Sequence, residues 1–323
     1  MDTITQSKEE MGILDEFQVQ FVDSWRRLPD KFFFFGLLVA WLALFQFLGN
    51  STFGYIDTPS LYRWMWGAYH SPSGDDGHGM IVPFVVLGLL WWKRKRLFAF
   101  PLHSWSPALG LVAFAVVLHI AAYIAQFPQG SIAALFTGIY GLMGLAWGFK
   151  FLRASFFPFI LFAFCVPLGG YGQVITSPLR QLVAQIVTLI AHAGVAPDLI
   201  RDGTQLYNAG RTFSYDIAPA CSGIRSLMAL LAITTVYGYL TFKPVWKRVV
   251  IVLAAVPLAV LGNVVRITFT VIIAEAMGQK AGKSVETNFG FVTFAVASVC
   301  LLMLGNWLRD ADRKPVSRGN EPA

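Results

Sequence analysis

The sequence predicts an all-α integral membrane protein, and three observations carry the prediction. Of 323 residues 56% are hydrophobic and 13% are charged, with a mean hydropathy of +0.59. Ordinary water-soluble domains carry about 25% charged residues, so this balance fits the bilayer as solvent. The apolar residues are gathered into runs of spanning length, and Lys and Arg sit in short clusters at the ends of those runs. A net charge of +7 invites comparison with nucleic-acid binders, but clusters at span ends, rather than one basic stripe, read as topology signals and exclude nucleic acid as the partner.

Residues 1–30 are polar and charged and are expected to form a cytoplasmic tail, without the short apolar core and small-residue cleavage site of a removable signal peptide. The polytopic domain then occupies 31–308, with no internal repeat and no dividing linker, and 309–323 form a second cytoplasmic tail. Apolar runs centre on 33–49, 79–92, 106–126, 131–149, 154–170, 222–241, 248–272 and 289–308. Each approaches the roughly 17 to 25 residues that a crossing helix needs.

Orientation follows from the basic clusters, which favour the cytoplasm. Arg26, Arg27 and Lys31 precede the first run, Lys93 to Arg96 follow the second, and Lys150 and Arg153 join the fourth to the fifth. Lys243, Lys247 and Arg248 lie between the sixth and seventh, and Arg309, Arg313 and Lys314 follow the last. All are mutually consistent as inside. Residues 50–78, 127–130, about 170–221 and 275–287 then fall outside, giving about eight crossings with both termini cytoplasmic.

Segment 173–195 is long and apolar enough to be taken for a ninth span. A crossing there would move both downstream basic clusters outside, so the segment reads as a re-entrant or interfacial amphipathic helix, with Arg180 and Gln181 facing headgroups or protein; a true ninth span is the alternative. The stretch after it alternates polar and apolar residues and is broken at Asn208-Ala209-Gly210. It predicts a small extracytoplasmic β-hairpin, with strands near 204–207 and 211–217, that delivers the chain to Pro219 and Cys221.

Two residues stand out chemically. Cys221 opens a helix in Pro219-Ala220-Cys221-Ser222-Gly223-Ile224-Arg225-Ser226, where free backbone N–H groups, the positive helix end and Arg225 one turn on favour a thiolate. Cys165 and Cys300 lie inside apolar runs and read as packing; the three cysteines have neither disulfide nor zinc spacing, and no metal or cofactor is expected. Arg266 interrupts the apolar run 249–274, where an ionised side chain costs about 2.5 kcal/mol or more near the bilayer centre. It needs a partner or a polar cavity, which Asn263 and Thr270 on the same helical face would line, unless it snorkels to headgroups.

By this topology Cys221 begins a descending span and Arg266 nears the end of an ascending one, so both belong to the outer face. Glu286, before the last span, and His78, at the outer start of the second, share that face. His103 and His119 read as packing or interface residues; His192 is ambiguous.

Four stretches, GHGMIVPF at 77–84, FPFILFAFCVPLG at 157–169, PACSGIRSLMALLA at 219–232 and LGNVVRITF at 261–269, resemble the exosortase and archaeosortase family of membrane cysteine transpeptidases. The resemblance covers roughly residues 60 to 308. It implies an enzyme that recognises membrane proteins with C-terminal sorting tails, made of a Pro-Glu-Pro-like motif, a hydrophobic helix and a basic cluster, and cuts them at the outer membrane face. It further implies Cys221 as nucleophile, a thioester resolved by an acceptor of unknown identity, and Arg266 as the motif arginine; Ser222, Arg225 and Asn263 are then expected to contact substrate. The family's third position, usually His four residues before a Gly, falls on Glu286, counting back from Gly290. A carboxylate supplies no positive charge, so proton transfer passes to Glu286 or His78. A second reading of the same departure is a non-catalytic sortase-like protein that binds tails or a polysaccharide-export partner.

Overall fold

A computed structural model describes residues 12–52, 56–71, 76–216 and 224–310. Among them, three helices are long and apolar enough to cross a membrane: Lys31–Leu48, Pro128–Trp147 and Val245–Met277. Shorter apolar helices cover Gly77–Trp92, Ala108–Ile124, Leu227–Thr241 and Phe294–Arg309. The protein is therefore a helical membrane protein with one small sheet. By its contacts the chain clusters into two compact units, Met1–Tyr69 with Gly79–Pro167, and His70–His78 with Leu168–Ala323.

In the first unit, α1 (Ile13–Arg27) occupies most of what the sequence reading leaves as a tail. It is followed by α2 (Lys31–Leu48), α3 (Leu61–Tyr69), α4 (Val82–Trp92) and the single turn α5 (Arg94–Leu97). Helices α6 (Ala108–Ile124) and α7 (Pro128–Trp147) form a tight hairpin, with Gln126 left-handed in the turn and Pro128 pre-set for the first helical turn. Gly138, Gly141 and Gly144 line one side of α7: a methyl group on Gly138 would collide with the Trp41 indole, and on Gly141 or Gly144 would come within 2.8 Å of Val112 or Leu152. Trp41 Nε1 donates to the Leu135 carbonyl at 3.0 Å, so its ring seats in the notch that the missing side chain leaves.

The fifth apolar run differs from expectation. Gly148, at φ 93°, ends α7 and starts α8 (Phe149–Ile160) at once, and a 3-10 turn, Leu161–Cys165, finishes the segment before Pro167. The helix thus begins earlier and stops sooner than 154–170, because glycine permits the abrupt reversal and proline forbids continuation.

In the second unit, α9 (Gly170–Ile190) runs into a π-helical turn at Ala191–Val195. Its buried side, Val183, Ala184, Val187 and Ala191, packs with Val264, Ile267, Val271 and Ala274 in one cluster, and Gln181 and Gln185 are exposed. A helix is thus present over most of the segment 173–195. The expected hairpin is instead a three-stranded antiparallel sheet, β1 (Leu199–Asp202), β2 (Gln205–Asn208) and β3 (Ser214–Asp216). The sequence reading misses β1 because it overlooks Gly203-Thr204, the two-residue turn between paired Asp202 and Gln205, with Gly203 at φ 61°.

Helices α10 (Ile224–Thr241), α11 (Val245–Met277), α12 (Gln279–Asn288) and α13 (Gly290–Asp310) complete the unit. At about 1.5 Å per residue the 33 residues of α11 reach about 50 Å, well beyond a hydrocarbon core of about 30 Å. It extends past the expected end at 272, and residues 279–288, expected as loop, are helical. Gly278, at φ 85°, makes the elbow between α11 and α12.

Candidate active site

Arg266 sits two thirds of the way along α11, half-buried, with its Nε sealed from solvent. Asn263 and Thr270, one turn to either side on the same stripe, are buried, and the Thr270 hydroxyl donates to the Arg266 carbonyl at 3.0 Å. The guanidinium reaches towards α13: its Nη1 would lie 3.9 Å from a methyl group on Gly290, the first residue of that helix. Phe269 and Phe289, their rings 5.7 Å apart, pack the same junction. A guanidinium set against a helix N-terminus concentrates positive potential from two sources, which suits a carboxylate or a developing oxyanion.

Glu286 belongs to α12, four residues before Gly290, and helical geometry is kept through the junction by the Phe289 N–H to Val285 carbonyl bond of 2.8 Å. Its side chain lies outside the described residues, as does that of Arg225, the second residue of α10. Cys221 and Ser222 also lie outside them.

The start of α10 can nevertheless be levelled against α11. A methyl group on Gly238 would lie 3.5 Å from the Arg248 Cα, and Leu227 and Leu230 share a buried cluster with Ala259 and Ala255. At equal rise along two antiparallel helices these pairings bring Ile224 level with Gly262 and Asn263, one turn short of Arg266.

The sheet is tied to the same end of α11. Tyr215 in β3 donates its hydroxyl to the Gln279 carbonyl at 2.6 Å, and Gln279 Nε2 donates back to the Ser214 carbonyl at 3.3 Å. Gly282 leaves the space that the Tyr215 hydroxyl fills; a methyl group there would collide with it. The last described strand before Cys221 is therefore pinned to the elbow beyond Arg266.

His78 lies in a 3-10 turn, Gly77–Met80, with both ring nitrogens sealed from solvent. Buried Asp76, two residues earlier, accepts from the backbone N–H groups of Leu168 at 2.9 Å and Gly169 at 3.1 Å. Gly169, at φ 50°, permits the turn that aims both donors at one carboxylate. These two bonds tie Asp76, two residues before His78, to the residues just ahead of α9. The sequence reading passes over Asp76, although a carboxylate beside a candidate histidine is a signal it could have used.

The remaining candidates are structural. Cys165 is buried, with its thiol 3.5 Å from the Gly79 carbonyl, and His119 is buried, with Nδ1 3.1 Å from the Ser131 hydroxyl. His192 Nε2 lies 2.8 Å from the Leu199 carbonyl and ties the end of α9 to β1. Among the described residues no cluster of His, Cys, Asp and Glu could hold a metal ion.

A family model described as transmembrane exosortase matches residues 64–303, about three quarters of the chain. The chain belongs to the transmembrane exosortase family. No curated protein and no solved structure matches it. The match begins in α3 and ends within α13, so it takes in His78, both helices of the α10–α11 pair and the Arg266–Gly290 junction of this exosortase.

Proposed function

We propose that this protein is a membrane cysteine transpeptidase that recognises proteins bearing C-terminal sorting tails, cleaves them at the outer membrane face through a Cys221 thioester, and passes them to an acceptor. The observation that carries the reading is the level of Arg266. It stands one turn beyond the height of Ile224, three residues after Cys221 in sequence, with its guanidinium beside the start of α13. Family membership over 64–303 supports the reaction class. The eight-crossing topology, with both termini cytoplasmic, is part of the same proposal and rests on the basic clusters at span ends.

In this reading the Cys221 thiolate attacks the peptide carbonyl carbon. Arg266 and the α13 N-terminus receive the charge that develops on the carbonyl oxygen. The C–N bond breaks, and the amine of the departing tail takes a proton from Glu286 or His78. An acceptor nucleophile then attacks the thioester, gives up its proton to the same group, and regenerates the thiolate. Ser222, Arg225 and Asn263 hold the substrate, and no metal or cofactor takes part.

Co-expression with a tailed substrate tests this directly. Cys221→Ala is expected to abolish tail removal while the protein still inserts in the membrane; unchanged processing in that strain would overturn the mechanism. Retained co-purification with the tail, together with no processing by the parent chain, would instead favour the binding-only reading that Glu286 motivates.

A further inference from the structure

The cytoplasmic end of the first unit carries a built polar pocket that the reaction does not use. Helix α1 has two adjacent stripes at helical spacing. Leu14, Phe17, Phe21 and Trp25 form an apolar one, and all four side chains stay exposed, Leu14 by 82%. Gln20, Asp23, Ser24 and Arg27 form a polar one and, with Arg94, Lys95 and Phe98, line a cavity of about 300 Å³.

The helix is seated by specific contacts. Phe17 and Phe21 lie 4.9 and 6.2 Å from the Trp91 ring, Trp25 lies 5.3 Å from Phe35, and Arg94 hydrogen-bonds Gln20 while stacking on Trp91 at 4.3 Å. An exposed apolar stripe next to a charged one, on a helix that leads straight into the span beginning at Lys31, is the pattern of a helix lying in the membrane interface.

The pocket's charge names its occupant. Arg27, Arg94 and Lys95 set three cations against the one carboxylate of Asp23, which pairs with Arg27 at 3.0 Å, leaving a surplus of two positive charges. We infer that this pocket binds the phosphate headgroup of an anionic phospholipid of the cytoplasmic leaflet, with the acyl chains lying along the Phe17, Phe21 and Trp25 stripe. Phe98 in the lining and the aromatic residues beside the pocket favour a ligand that carries hydrocarbon over a soluble phosphate. The two anchors together hold α1 flat on the membrane and fix the depth of α2.

The test uses the full chain in a neutral detergent, titrated with dioctanoyl phosphatidylglycerol or dioctanoyl phosphatidylcholine and read by native mass spectrometry. Phosphatidylglycerol is expected to be retained over phosphatidylcholine. Arg27→Gln with Lys95→Gln should weaken it about fivefold per lost cation, about twenty-five-fold for the pair, without changing the phosphatidylcholine adduct. Asp23→Asn, which removes the competing carboxylate, should tighten it, and Lys243→Gln, in a basic turn of the second unit that does not line the pocket, should leave it unchanged. Equal retention of the two lipids, or an equal loss on Lys243→Gln, overturns the proposal. Displacement of phosphatidylglycerol by equimolar inorganic phosphate would also overturn it, by making the pocket a soluble-anion site.

Discussion

In the first unit α7 brings Gly138, Gly141 and Gly144 to one side, and Trp41, Val112 and Leu152 fill the notches; its core is rich in large rings, among them Phe34, Phe45, Trp147, Phe151 and Phe159. In the second, α11 buries Ala255, Ala259 and Ala274, and it also buries Asn263 and Thr270 beside Arg266. Both units set a buried lysine on a helix carbonyl: Lys93 Nζ donates at 2.9 Å to Ala154 within α8, four residues before Pro158, which has no N–H to offer, and Lys247 Nζ donates at 2.5 Å to Leu308 in the last turn of α13. Ring-into-glycine packing fixes helix spacing but offers little for chemistry. Small residues interleaved with buried polar ones fix spacing less tightly and leave room for a charged group and a substrate. Under the proposed function, the difference would give the packing role to one unit and the reaction to the other.

Four substitutions can break or sharpen that contrast. Arg266→Ala should reduce tail processing by about 100-fold or more, the scale of losing an oxyanion donor, while leaving thermal unfolding in detergent almost unchanged. A large stability loss without a processing defect would make Arg266 structural. Gly138→Ala should do the reverse: overpacking against Trp41 is expected to destabilise the fold by about 1–3 kcal/mol, seen as a lowered unfolding midpoint, with normal processing by the folded fraction.

Asp76→Asn should remove the charge from two hydrogen bonds, costing about 1.5–3 kcal/mol locally. If His78 transfers the proton, the pH profile of processing will shift in that variant; an unshifted profile assigns the role elsewhere. Tyr215→Phe has the smallest expected effect. It deletes the bond to Gln279, worth about 1 kcal/mol, and loosens the strand that leads to Cys221, so a few-fold loss of processing is expected with little change in the unfolding midpoint.

How much could be read in advance differs between the units. In the first unit α6 and α7, unlike α1, α3 and α8, follow from hydropathy to within two or three residues at each end, because in a bilayer every backbone group must be satisfied within its own helix. Where the chain leaves that regime the sequence reading was coarser. It took residues 279–288 for a loop and recovered two of three strands, since short polar elements are decided by what they pack against. Asp76 and Tyr215 escaped notice for the same reason: each acts through a backbone partner, at Leu168 and Gly169 or at Gln279, that lies far along the chain.

By itself the sequence determined that this is a membrane protein and which family it belongs to, and it named the candidate residues that remain to be tested. These are properties of composition, of span-end charge, and of short motifs in a fixed order. Only the tertiary structure decided that Gly290 is the residue standing beside Arg266, that β3 is pinned to the elbow after α11, and that α1 lies folded with a charged pocket at its side. Those facts depend on helix register and on contacts between distant segments, set by the fit of side chains and not by the identity of any one residue.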